Sequence, residues 1–327
     1  MSRPHLPRVG LGCMSLSHAY GVPPTPEEGL RVLQGALDAG VTHLDTATLY
    51  GGGRNEELVG RALKGRRDKV VLASKGGMAP VDGVKTIDGR PETLRAQVDA
   101  SLARLGVDFI DLYYLHRWDK KVPIGESVGA LAEAVEAGKI GGIGLSEVSV
   151  TRLTEALEVA PITAVQNEYS LWSRNAELGM LEATRAAGVA LVAFSPIARG
   201  FLAADGLDPE NLADKDIRRA MPRFQPEHWP ANARLLPAWV DLAREAEVTP
   251  AQLALAWLLS RGEHVTAIPG TTNLDHLREN LAAADLDVDP ALLERAGDLV
   301  NHSTVSGNRY NAGQQGEVDA ETFEEAS

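Results

Sequence analysis

The sequence predicts an α/β fold, a single (β/α)8 TIM barrel with an extra C-terminal helix and a polar tail, on three observations. Short β-branched or apolar runs alternate with longer helical patterns eight times along the 327 residues. Most of these runs are apolar throughout, as parallel strands covered on both faces are. An open doubly wound sheet would bring a GxGxxG fingerprint after a strand. The two near-matches, Gly10-Leu-Gly12-Cys-Met-Ser15 and Gly142-Ile-Gly144-Leu-Ser-Glu147, each put the wrong residue at the third glycine position. Residues 1–327 are expected to form one domain, the barrel covering about 7–299 and the tail about 300–327.

The strands are expected at Arg8–Leu11, Val41–Ala47, Val70–Lys75, Phe109–His116, Ile140–Ser146, Ile162–Gln166, Val189–Phe194 and Val265–Pro269. Between them, helix starts are marked. Thr25-Pro26-Glu27-Glu28 has capping-box spacing with proline at the first helical position, and Leu30, Leu33 and Leu37 then share a face. Thr249-Pro250-Ala251-Gln252 repeats the device before an apolar helix through Leu259. Pro91 opens a third, with Leu94, Val98, Leu102 and Leu105 on one side. Phe201 to about Pro230 has little periodicity, and loops this long in compact domains are usually lids or binding loops.

Composition narrows the class of function. With 44% hydrophobic and 24% charged residues the chain has a globular core. Its formal charge of −13 argues against nucleic acid or an anionic membrane surface as partner. Cys13 is the only cysteine, which excludes an intrachain disulfide and a cysteine-built metal site; a core role is expected for it. The eight histidines show no ligand spacing, so no metal is expected. The first residues lack the apolar stretch of a signal peptide and no run is long enough to span a bilayer, which predicts a cytoplasmic protein.

Barrel active sites lie at the C-terminal ends of the strands. That rule selects Asp45 at the end of the second strand, Tyr50 in the loop beyond, Lys75 at the end of the third and His116 at the end of the fourth. Together they suit proton transfer to a carbonyl oxygen. A tyrosine with a pKa of about 10 is a weak acid near neutrality. Lys75 is expected to lower that value, with Asp45 keeping the lysine charged and His116 donating to the same oxygen. The hydride would have to come from a cofactor.

The stretch GVTHLDTATLYGGGRNEELVG, Gly40–Gly60, resembles the aldo-keto reductase signature, with Asp45, Tyr50, Glu56 and Gly60 in register. The resemblance continues through LASKGG, LYYLHRWD, GIGLSEVS, VQNEYSLWSR, VAFSPIARGFL and IPGTTNLDHLREN, from about Pro7 to Leu299. GLSEVS and QNEYSLWSR look more like the bacterial and fungal branch that includes pyridoxal reductases than the mammalian aldose reductases.

The resemblance implies NAD(P)H-dependent reduction of small aldehydes or ketones, with Asp45, Tyr50, Lys75 and His116 as the catalytic tetrad. It implies that Ser146 and Gln166 bond the nicotinamide carboxamide and Phe194 stacks on the ring. It further implies that Ser195, Pro196, Ile197, Ala198, Arg199 and Gly200 line the pyrophosphate. Gly270, Thr271, Thr272, His276, Glu279 and Asn280 would hold the adenosine end. Tyr20, Trp118, Trp172 and Tyr310 are candidate substrate residues.

Glu147 stands where many relatives have asparagine, so no carboxamide contact is carried onto it. The resemblance implies NADPH as the cofactor, but Gly270 to Asn273 carry none of the basic residues common there, which leaves NADH as the alternative. Potassium-channel beta subunits resemble the same fold and give the other reading, a redox-sensing subunit without useful turnover. They favour asparagine where this chain has His116.

Overall fold

The computed structural model describes residues 4–323; Met1–Arg3 and the end of the acidic terminal stretch lie outside them. Eight strands form one parallel sheet: β1 (Leu11–Gly12), β2 (His43–Asp45), β3 (Val71–Gly76), β6 (Leu112–Leu115), β7 (Ile143–Ser146), β8 (Ile162–Glu168), β9 (Ala190–Phe194) and β10 (Val265–Ala267). A parallel bridge between Val9 and Ala267 joins the last strand to the first. Gly10 N–H donates to Ala267 O at 2.8 Å and Ala267 N–H to Arg8 O at 2.9 Å, so the sheet closes. The side chain of Arg8 fastens the seam from outside, donating to the carbonyls of Gly262 and Val265 at 2.7 and 3.2 Å.

Several strands are shorter than their apolar runs, β2 and β6 most clearly. In a tilted barrel the ladder ends early, and the residues beyond it turn into loops at the two rims. Helices cover the outside: α1 (Pro26–Asp38), α2 (Arg54–Leu63), α3 (Pro91–Leu105), α4 (Ile124–Glu136), α5 (Val150–Leu157) and α6 (Met180–Ala186) each follow one strand. Both predicted capping boxes form, at Thr25 with Glu28 and at Thr249 with Gln252.

Two layers of core result. Ala73, Leu112, Tyr114, Ala164, Val192 and Ile268 fill the inside of the barrel, and a larger cluster lies between strands and helices. Tyr113 and Tyr114 show the alternation: Tyr113 faces outward, its hydroxyl 3.1 Å from Ser101 Oγ, while Tyr114 points inward. Cys13 is fully buried in the outer layer, and burial pushes its thiol up.

The sequence reading missed a hairpin, β4 (Met78–Val81) paired with β5 (Val84–Ile87), inserted directly after β3. Its signal is Asp82-Gly83 between two short runs: both residues adopt positive φ, 51° and 79°, as a tight two-residue turn requires. The weakly periodic segment after β9 becomes four short 3₁₀ turns and the one-and-a-half-turn helix α7 (Trp229–Ala233). Aromatic packing replaces periodicity there, with Phe201 4.0 Å from Trp172 and 5.8 Å from Trp229 between ring centres. Helices α8 (Leu236–Glu245) and α9 (Pro250–Leu259) precede β10, and α10 (Leu274–Ala282) follows it. The expected extra helix is α11 (Pro290–Leu299), and the tail adds α12 (Ala312–Gln315). Among the described residues no helix is long and apolar enough to cross a membrane.

Helix α2 touches α3 where the family-like signature ends. A Cβ on Gly60 would come within 2.2 Å of Leu105 O, a backbone atom that cannot rotate away. Gly60→Ala should therefore destabilise the protein by about 1–3 kcal/mol through overpacking. Urea unfolding of the variant beside the parent would measure this, and an unchanged midpoint would mean the two helices can part at no cost.

Candidate active site

The loops at the C-terminal ends of the strands surround a cavity of about 580 Å³. Backbone strain collects around it: Ala19, Glu147, Ser195, Ala198 and Arg199, none of them glycine, all have φ between 51° and 86°. Such conformations persist where the surroundings enforce them, which is characteristic of functional sites.

At its floor lies a buried chain of polar groups. Lys75 on β3 and Asp45 on β2 form an ion pair with essentially no exposure. Lys75 Nζ also donates to Thr46 O at 2.9 Å and to the Tyr50 hydroxyl at 3.3 Å. Tyr50 begins a short 3₁₀ turn just beyond β2, which drops its ring back over the barrel axis. The His116 ring meets it edge-on at 5.8 Å, and His18 lies tilted against it at 5.4 Å. Asp45, Tyr50 and His116 line the cavity; Lys75 lies beneath it.

Burial sets the protonation of this group. It pushes the Tyr50 phenol up, and the opposing pull of Lys75 does not cancel it, so the expected lowering is corrected to a net rise. Burial would pull Lys75 down, but the Asp45 carboxylate and, after it, the Tyr50 hydroxyl together outweigh this and favour the charged ammonium. His116 is driven well below the ordinary histidine range by burial, then by the charges of Arg117 and Lys75. That direction favours the neutral imidazole.

Farther along the cavity come the other residues of the sequence prediction. Ser146, Gln166, Phe194, Ser195, Pro196, Ile197, Arg199 and Gly200 line it, as do Gly270, Thr271 and Thr272. Gln166 Nε2 donates to Asp45 Oδ2 at 2.8 Å, leaving its carbonyl oxygen free of that bond. Ala198 and Asn280 are buried, whereas His276 is exposed on α10. Glu279 is half-buried, its backbone carbonyl accepting from Gln252. Arg278 is occupied by Asp275 at 2.7 Å.

Of the four substrate candidates, Tyr20 and Tyr310 reach the cavity and two tryptophans do not. Trp118 packs under Arg152 and donates its indole N–H to Val122 O. Trp172 is core, wedged among Phe201, Phe224 and Arg223. Their loops lie near the mouth in sequence, but their large rings find apolar cover behind it.

The tail is docked. Arg309 pairs with Glu147 at the end of β7 and lies 3.7 Å from Glu168 on β8. Arg199 bridges Glu168 at 2.6 Å to the hydroxyls of Tyr20 and Tyr310, each at 3.2 Å. Ser149 Oγ donates to Asp319 at 2.6 Å and the Val150 N–H to Glu321 at 2.6 Å, so two tail carboxylates cap the start of α5. Glu147, the residue that departs from the family pattern, is thus the anchor of the tail. Sequence reasoning also missed His18, Arg117 and Lys85, which line the cavity. His18 sits in no strand-end motif and Lys85 lies on the unrecognised hairpin, while Arg117 adjoins His116 and was within reach.

Comparison with known proteins shows the family. Residues 8–296 match the model of the aldo/keto reductase family. The chain belongs to that family. It is 42% identical to "Probable aldo-keto reductase 1" of Glycine max over 93% of this chain and 88% of that protein. It is 38% identical to "Aldo-keto reductase yakc [NADP(+)]" of Schizosaccharomyces pombe, over 97% and 95%. Among solved structures, the glycerol dehydrogenase of Gluconobacter oxydans superposes with a TM-score of 0.81 at 27% identity, covering 93% of this chain and 94% of that chain. An aldo/keto reductase of Klebsiella pneumoniae in complex with NADP and acetate gives 0.71 at 26% identity, over 94% and 95%.

The docked tail makes a prediction. Arg309→Met leaves the Glu147 carboxylate buried without its partner, a loss of about 3–5 kcal/mol for a broken buried pair. The barrel can avoid that cost by releasing the tail, so limited proteolysis should cut within 307–321 in the variant and spare the parent. Equal resistance in both proteins would show that the pair does not hold the tail.

Proposed function

We propose that this aldo/keto reductase reduces aldehyde and ketone carbonyls to alcohols with NADPH, Tyr50 acting as general acid; in reverse it oxidises CH–OH groups with NADP. The observation that carries the proposal is the buried Asp45–Lys75–Tyr50 chain ending at the cavity floor.

The residues present fit a nicotinamide dinucleotide. Phe194 offers a half-buried apolar face. Ser146 Oγ and the carbonyl of Gln166 can bond a carboxamide. The left-handed turns at Ser195, Ala198, Arg199 and Gly200 turn backbone toward the cavity in the manner of anion-binding nests. The reduced nicotinamide, when bound, supplies the hydride that no side chain can. NADPH is preferred here over NADH on the strength of the relatives' names and neighbours; the Gly270 to Asn273 stretch offers hydroxyls and backbone rather than cations.

The side chains then do three things. Tyr50 donates its proton to the carbonyl oxygen as hydride reaches the carbon. Lys75 stands beside the phenolate this leaves and stabilises it. Neutral His116 offers a hydrogen bond to the same oxygen without competing as an acid. The raised phenol suits reduction, because the protonated form is the active one.

Tyr50→Phe should lower carbonyl reduction by at least the roughly 10²–10⁴-fold typical of a lost general acid, with NADPH binding, followed by fluorescence, nearly unchanged. Substantial residual turnover would move the acid role to another group. The pH profile gives a separate check. Reduction in the parent should show no break near the ordinary histidine value of about 6.5 and should hold until the pH exceeds the ordinary tyrosine value of about 10. Replacing the pair together, Lys75→Met with Asp45→Asn, removes the cation that opposes the rise. The basic limb should then move higher still, and alcohol oxidation, which needs the phenolate, should suffer more than reduction. An unmoved limb would mean that Lys75 does not tune Tyr50.

A further inference from the structure

Among the described residues, the cations around the cavity are matched with carboxylates, with one exception. Lys85 pairs with Glu317 at 2.6 Å, Arg199 with Glu168 at 2.6 Å and Arg218 with Asp216 at 2.7 Å. Lys75, beneath the floor, has Asp45. Arg117 also lines the cavity, yet it forms no ion pair among the described residues.

Its guanidinium is nevertheless fixed. Nη1 donates to His116 O at 2.6 Å and to Ser146 Oγ at 3.1 Å, two neutral acceptors at adjacent strand ends. Nε is buried and has no partner. Holding the fork by Nη1 leaves the opposite edge, Nε with Nη2, as the one that can receive two parallel acceptors. That edge matches a carboxylate in spacing and plane. A partly buried charge with a buried unpaired donor is costly unless something completes it. Its position beside His116 places that something next to the reacting carbonyl.

We propose that Arg117 is a substrate-binding residue that selects carbonyl compounds bearing a carboxylate, gripping it through the Nε–Nη2 edge. The inference rests on the reading of the cavity as a carbonyl-reductase site. The effect of Arg117 on His116 and Tyr50 agrees with this placement: its charge pulls on both groups, so it lies within electrostatic reach of the proton-transfer machinery. A carboxylate seated there would neutralise the charge that now has no counterpart. A neutral substrate would leave it uncompensated and would displace water from it for no return.

The test compares 4-carboxybenzaldehyde with its neutral methyl ester at saturating NADPH. The parent should favour the carboxylate by about tenfold or more in kcat/KM, mainly through KM, as expected for a charge-assisted bidentate contact. Arg117→Gln should bring the ratio close to one. Arg117→Lys, which keeps the charge and loses the fork, should fall between. NADPH affinity should be the same in all three proteins.

Equal kcat/KM for the two aldehydes in the parent would overturn the proposal without needing either variant. So would a preference that survives Arg117→Gln. A loss of NADPH affinity that parallels the loss of substrate discrimination would assign the free edge to the cofactor and refute the proposal too. No turnover of either aldehyde by the parent would be a different result: it would refute the reductase reading itself and this inference with it.

Discussion

A lysine with no exposed atom, set above the residues that fill a barrel, must be neutralised where it stands or give up its proton. Asp45 neutralises it from the neighbouring strand, and the register makes this unavoidable: Asp45 pairs with Ala73, two residues before Lys75 on the same inward-facing side. The other members of the floor take their places from that pair. The Tyr50 hydroxyl is held by the ammonium, and Gln166 is held by the second oxygen of the carboxylate. One ion pair thus fixes the proposed proton donor and a residue of the proposed carboxamide site, which come from opposite sides of the barrel.

A second polar layer lies nearer the solvent and is built on different terms. Glu147 and Glu168 end adjacent strands, and their charges are met by Arg199 from the loop after β9 and Arg309 from the tail. Burial alone would raise the Glu168 carboxyl; the surrounding arginines reverse this and hold it below the ordinary carboxylate range. Cations from separate loops therefore converge on carboxylates that the barrel itself supplies. The inner pair holds the floor of the cavity together, and the outer group shapes its entrance.

The barrel was legible in the sequence because its strands are continuously apolar and their order along the chain is their order in the sheet. Asp45, Lys75 and His116 were legible as polar residues closing apolar runs, and Tyr50 as the polar residue of the loop just beyond the second of them. What escaped was what depends on three-dimensional cover. Nothing in the spacing of Trp118 or Trp172 says that their rings turn back into the core. The balance between burial and Lys75 on the Tyr50 phenol is a matter of depth, which a sequence does not carry. Tyr310 stood out as an aromatic residue in a polar tail, but the buried partners of Arg309 and Tyr310 lie far away in the chain. Glu147 looked like a departure from a pattern, and only its contact with Arg309 gives that departure a meaning.

The seam between Val9 and Ala267 bears on how the molecule comes into being. Ribosomes release a chain from its amino end, so β1 waits through the synthesis of seven further strands before its last neighbour exists. Until then the growing sheet has two open edges with unpaired backbone groups, which are prone to pairing with other chains. Completion of the seam removes both edges at once. The arginine and tyrosine that finish the entrance emerge later still, so a newly closed barrel exists for a time with its floor assembled and one wall missing.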